Sequence, residues 1–120
     1  VGFLFFFFPN VRRSDNEKIW KYQRLYKGGD RRAVKDLFNS IKECAKRFIF
    51  YERQKKGFYI SREDVNEKAI EAAEYIIEQY IKRPDFELKI PSAYIRLRVL
   101  AALYRHKKID EFISYTDREF

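Results

Sequence analysis

From Val34 onward, apolar residues return every third or fourth position, at Leu37, Phe38, Ile41, Ala45, Phe48 and Ile49. That spacing puts side chains on one face of an α-helix. The rhythm recurs at Val65, Ala69, Ala72, Ala73, Ile76, Ile77 and Tyr80. A half-buried strand would need strict alternation, and nothing in the chain alternates over a useful length; Phe58-Tyr59-Ile60 is apolar but short. A sequence patterned in this way has to bury helix faces against helix faces.

The breaks between periodic stretches divide the chain into four helices. Ser14-Asp15-Asn16-Glu17 has capping-box spacing, so a first helix is expected over about Asp15 to Tyr26, stopping at Gly28-Gly29. Asp30 is placed as the next N-cap, for a second helix reaching about Gln54 and ended by Lys55-Lys56-Gly57. Ser61-Arg62-Glu63-Asp64 opens a third helix that Pro84 closes. Pro91 precedes Ser92, the expected N-cap of a fourth helix running to about Arg105. Apolar residues run nearly all the way round that last helix (Ile95, Leu97, Val99, Leu100, Leu103, Tyr104), which marks it as the expected centre of the fold.

With 120 residues there is room for one core of ordinary size. The expectation is an all-α fold: a compact four-helix domain with orthogonal or bundle packing, plus a short C-terminal helix or tail. Its divisions are an apolar N-terminal extension (1–13), the helical domain (14–108) and the tail (109–120). In the extension, Phe3-Leu4-Phe5-Phe6-Phe7-Phe8 is too short to span a bilayer and lacks the basic lead of a signal peptide. Three readings stay open for it: packing onto the domain, docking on a partner, or non-native sequence. No membrane partner is expected.

The balance of 26 Lys and Arg against 18 Asp and Glu leaves a net charge of +8, which favours polyanionic partners, nucleic acid first. Membrane surfaces and acidic proteins offer the same sign of charge. Cys44 is the only cysteine, and it falls within a helical apolar pattern. It therefore reads as a core thiol in a reducing compartment, which makes the expected location cytoplasmic.

Catalytic chemistry finds little to stand on. His106 is the only histidine, so no histidine metal cluster can form, and a Cys44–His106 pair lacks a third group to orient it. Gly28-Gly29 lacks the spacing and following Lys-Ser or Lys-Thr of a phosphate loop. No catalytic residue, metal site or cofactor is expected, and the chain reads as a binder rather than an enzyme.

Two helices carry opposite charge. At about 100° per residue, Asp64, Glu67, Glu71, Glu74 and Glu78 all fall opposite the apolar side of the third helix. A solvated face is one reading. The other is docking on a basic surface, which would relieve like-charge i, i+4 pairs that cost roughly 0.2–0.5 kcal/mol each. The fourth helix holds Arg96, Arg98, Arg105, Lys107 and Lys108 without an acid from Tyr94 to Lys108. Tyr94, Arg98 and Arg105 lie within about 40° of one another on the wheel. Guanidiniums beside an aromatic suit phosphates and an unpaired base, whereas basic residues at a helix C-terminus also complement its dipole.

Three segments, in order, resemble region 2 of sigma-70-type RNA polymerase sigma factors. Trp20 to Phe38 (WKYQRLYKGGDRRAVKDLF) is similar to its opening, with a Gly-Asp pair followed by Ala and then Leu-Phe. Arg62 to Ala73 (REDVNEKAIEAA) resembles the Asp-Leu-x-Gln-Glu stretch that binds the polymerase core, one residue shorter here between Asp64 and Glu67. Ile90 to Arg105 (IPSAYIRLRVLAALYR) is similar to the promoter-melting segment, with Ala93 where the family often has an aromatic. The resemblance implies that Asp64, Glu67 and Glu71 face RNA polymerase core. It likewise implies that Tyr94, Arg96, Arg98, Arg105, Lys107 and Lys108 face DNA. Residues 109–120 are too short for a second helix-turn-helix domain, so a stand-alone region 2-like protein, of the kind a phage or mobile element would carry, is expected. The alternative is a non-enzymatic structural or interaction protein of such an element. The sequence leaves the oligomeric state open.

Overall fold

The computed structural model describes residues 13–104, and four helices account for most of them. They are α1 (Arg13–Lys27), α2 (Ala33–Lys56), α3 (Arg62–Lys82) and α4 (Pro91–Tyr104). The all-α four-helix expectation is met, with no strand among the described residues. Residues 1–12, nearly all of the N-terminal extension, and the tail at 109–120 lie outside the described residues.

The helix ends show which local signals acted. Ser61 is the N-cap of α3, its hydroxyl accepting the Asp64 amide at 3.1 Å. Gly57 closes α2 with φ 73°, a left-handed conformation that a side chain disfavours, and its amide reaches the Arg53 carbonyl at 2.8 Å. Three caps differ from expectation. Ser14 lies within α1, whose described residues start at Arg13, rather than capping it. Asp30 shapes the turn before α2 rather than its N-cap: its carboxylate accepts the Arg32 amide and its carbonyl the Ala33 amide, both at 3.1 Å. Ser92 sits in the first turn of α4, behind Pro91, whose missing N–H costs nothing at that position.

Helix α2 is the central element, packing along α1, α3 and α4, and its interface with α3 is the most extensive. Leu37, Ile41, Cys44, Ala45, Phe48 and Ile49 of α2 are buried with Val65, Ala69, Ala72, Ala73 and Ile76 of α3. Ala69, Ala72 and Ala73 put small side chains into that interface. Helix α4 was expected at the centre; it is buried on more than one side, but against the flanks of the others. Its apolar girdle reflects contact with three neighbours rather than a central position.

The connector between α3 and α4 lies along α1 and is held by polar side chains. Lys27, Gln23, Trp20 and Asn16, spaced along one face of α1, meet Phe86, Leu88, Lys89 and Ser92 in that order, so helix and connector run antiparallel. Lys27 Nζ donates to the Phe86 carbonyl at 2.7 Å, and Trp20 Nε1 to that of Lys89 at 3.1 Å. Gln23 Oε1 accepts the Leu88 amide at 2.8 Å and the Tyr80 hydroxyl, while its Nε2 donates to the Leu88 carbonyl. Asn16 Oδ1 accepts the Ser92 amide at 2.9 Å and its Nδ2 donates to the Ser92 hydroxyl at 3.1 Å. These bonds satisfy backbone groups of a connector that belongs to no helix or sheet and is buried at Phe86 and Leu88, and they reach into the first turn of α4 at Ser92. Edge-on rings continue the connection: Tyr26 to Tyr80 at 5.9 Å, Tyr80 to Phe86 at 4.8 Å, and Phe86 to Tyr94 at 5.8 Å. The connector fixes where α4 starts, and hence which of its faces points outward.

Candidate functional site

Two grooves open at the end of the bundle where α2 stops, α3 starts and α4 finishes. The first, of about 410 Å³, is lined by Phe58, Tyr59, Ile60, Asp64, Glu67, Lys68, Glu71, Leu103 and Tyr104. Asp64, Glu67 and Glu71, the three acids singled out in sequence, therefore come together on one rim, over a wall of aromatic and aliphatic side chains. All three are exposed. Tyr59 stands 87% exposed in the loop between α2 and α3. The like-charge strain expected along α3 is partly relieved within the helix, because Lys68 pairs with Glu71 at 3.5 Å and Lys82 with Glu78 at 2.5 Å. Such exposed pairs contribute little, at most about 1 kcal/mol.

The second groove, of about 490 Å³, runs between the end of α2 and α4 and is lined by Glu52, Lys55, Lys56, Phe58, Arg96, Leu100 and Tyr104. Its rim is basic. Phe58 and Tyr104 border both grooves, and their rings meet edge-on with centroids 6.4 Å apart. The Tyr104 hydroxyl donates to Glu52 Oε2 at 2.7 Å, although Glu52 is only 5% exposed. Partial burial, reinforced by the Glu52 carboxylate, pushes Tyr104 up to about 12, so the phenol keeps its proton and remains a donor at neutral pH.

The residues expected to face DNA are split apart. Arg96 lines the basic groove, beside Lys55 and Lys56. Tyr94 is wholly buried, against Phe86, and is not available to stack on a base. Arg98 is half-buried, its guanidinium 3.5 Å from the centroid of the Tyr75 ring, a cation–π contact that ties α4 to α3. Arg105, Lys107 and Lys108 lie outside the described residues. The helical wheel grouped Tyr94 with Arg98 correctly but on the wrong side. A helix apolar all round does not announce its inward face, and here the connector turns Tyr94 and Ala101 inward.

Lys55, Lys56, Phe58 and Tyr104 were not among the expected nucleic-acid residues. The available signal was the pair of lysines before Gly57 with an aromatic just after it, which in sequence reads as an ordinary helix end. Cys44 is buried as expected, and burial, then the nearby Asp15 carboxylate, push its thiol up to about 12. Among the described residues, no group of three or more His, Cys, Asp or Glu is placed to hold a metal ion, and no helix is long and apolar enough to cross a membrane. Comparison with protein-family models, with curated proteins and with solved structures finds no match.

Proposed function

We propose that the chain is a transcription-initiation component of the sigma region 2 type, which acts by binding: RNA polymerase core on the acidic groove and DNA on the basic side. One observation carries the reading. Two grooves of opposite charge lie side by side and share Phe58 and Tyr104. A surface that served polyanions alone would gain nothing from Asp64, Glu67 and Glu71 gathered on an apolar wall. A basic protein segment with an apolar anchor fits it by charge and by shape. The basic groove, with Arg96, Lys55 and Lys56, offers phosphate contacts next to aromatic rings.

The test is binding of the purified protein to RNA polymerase core. Glu67→Lys combined with Glu71→Lys reverses the charge of the rim at exposed positions, which leaves the fold intact. Loss of at least tenfold in affinity is expected. Absence of core binding by the parent protein, or binding indifferent to the reversal, defeats the proposal.

A further inference from the structure

The buried carboxylate in the basic groove links α2 to α4 through a single hydrogen bond. Glu52 sits one turn before the end of α2, among Lys55, Lys56 and Arg96, and its hydrogen-bond partner is the Tyr104 hydroxyl. Withdrawing a carboxylate from water is costly, and one bond from a phenol recovers only part of that cost. A groove meant only to attract phosphates would be better without it. A carboxylate accepts at about four lone-pair positions, so the bond to Tyr104 leaves capacity for a further donor.

We propose that this groove holds one unpaired nucleotide and that Glu52 selects bases carrying an exocyclic amino group, cytosine in preference to thymine or uracil. The proposal deepens the nucleic-acid half of the proposed function and rests on it. Lys55 and Lys56 meet the phosphates, the base lies against Phe58 or Tyr104, and Glu52 accepts from the amino group. A carboxylate accepting from cytosine N4 is a known form of base readout, whereas thymine and uracil present a carbonyl oxygen there, which repels it. The raised proton affinity of Tyr104 keeps its hydroxyl as donor, which fixes the orientation of Glu52. Tyr104 is 42% exposed, enough ring surface for a stacked base.

The comparison of oligo(dC) with oligo(dT) isolates the amino group, because both are pyrimidines of similar stacking strength. Fluorescence anisotropy of labelled strands with the full chain should show oligo(dC) binding about tenfold tighter than oligo(dT). Oligo(rC) against oligo(dC) shows whether the strand is RNA or DNA, and oligo(rC) against oligo(rU) should repeat the base preference, since the ribose hydroxyl leaves the base edge unchanged. Glu52→Gln keeps the size and the bond to Tyr104 but removes the charge, and should bring the two pyrimidines within about twofold. Lys55→Glu with Lys56→Glu, at exposed positions, should weaken both strands and lower the salt slope. Equal binding of oligo(dC) and oligo(dT), a preference that survives in Glu52→Gln, or poly-glutamate competing as well as oligo(dC) would each overturn the proposal, the last by assigning the groove to an acidic protein. No polymerase is present in this assay. The pyrimidine preference can therefore fail while core binding stands, and the reverse.

Discussion

Replacing Gln23 by Leu tests the connector clamp that sets the position of α4. Gln23 is 5% exposed, and the groups it satisfies are as deeply buried: Leu88 is 0% and Tyr80 4% exposed. Leucine fills similar space but leaves the Leu88 amide and the Tyr80 hydroxyl without their acceptor. Each buried polar group left unsatisfied costs about 1–3 kcal/mol. The contact from Nε2 to the Leu88 carbonyl is long, at 3.4 Å, and adds little. The expected loss is therefore roughly 2–6 kcal/mol, a large fraction of the roughly 5–15 kcal/mol that holds a domain of this size. Urea unfolding followed by far-UV circular dichroism measures it, with the midpoint moving and the slope unchanged. Combining Gln23→Leu with Tyr80→Phe removes one stranded group and should return about 1–3 kcal/mol relative to the sum of the single variants. A loss under about 1 kcal/mol, or strict additivity with Tyr80→Phe, refutes the account of the clamp.

Four further outcomes are expected. Tyr94→Ala should destabilise the fold by about 3–5 kcal/mol, as expected for truncating a buried ring, while Tyr94→Phe leaves oligonucleotide affinity unchanged, as read from urea melts and anisotropy. Gly57→Ala, at φ 73°, should lose about 1 kcal/mol in the same melts, since alanine resists the left-handed cap. Cys44 should react with a thiol reagent only as fast as the protein unfolds, because its thiol is buried and stays protonated to about pH 12. Stability should be level up to about pH 9 and fall towards pH 12. Cys44 and Tyr104, ordinarily near 9.0 and 10.0, hold their protons more tightly in the folded chain, so the unfolded chain releases them first.

Much of the fold was readable in sequence because helix faces obey a simple period. Leu37, Ile41 and Ile49 pack where the rhythm puts them, and Ser61 and Gly57 end helices for reasons local to their own backbone. The acidic rim was readable for the same reason, since Asp64, Glu67 and Glu71 share one face of one helix. The basic groove was not. Its residues come from α2, the following loop and α4, and only packing brings Lys55 beside Arg96. The connector clamp escaped as well: Asn16, Trp20, Gln23 and Lys27 form a mostly polar stripe that reads as solvent-facing until the connector opposite is known. That missing connector is also why Tyr94 was expected outside. Its own helix offers no apolar asymmetry to decide the matter.

The most direct test of a two-partner division is separation of function by charge reversal. Binding to RNA polymerase core and to single-stranded DNA would be measured for the parent protein, for Glu67→Lys with Glu71→Lys, and for Lys55→Glu with Lys56→Glu. The first variant should lose the polymerase and keep DNA, and the second should lose DNA and keep the polymerase. Both variants losing the same partner, or neither variant losing any, would contradict it.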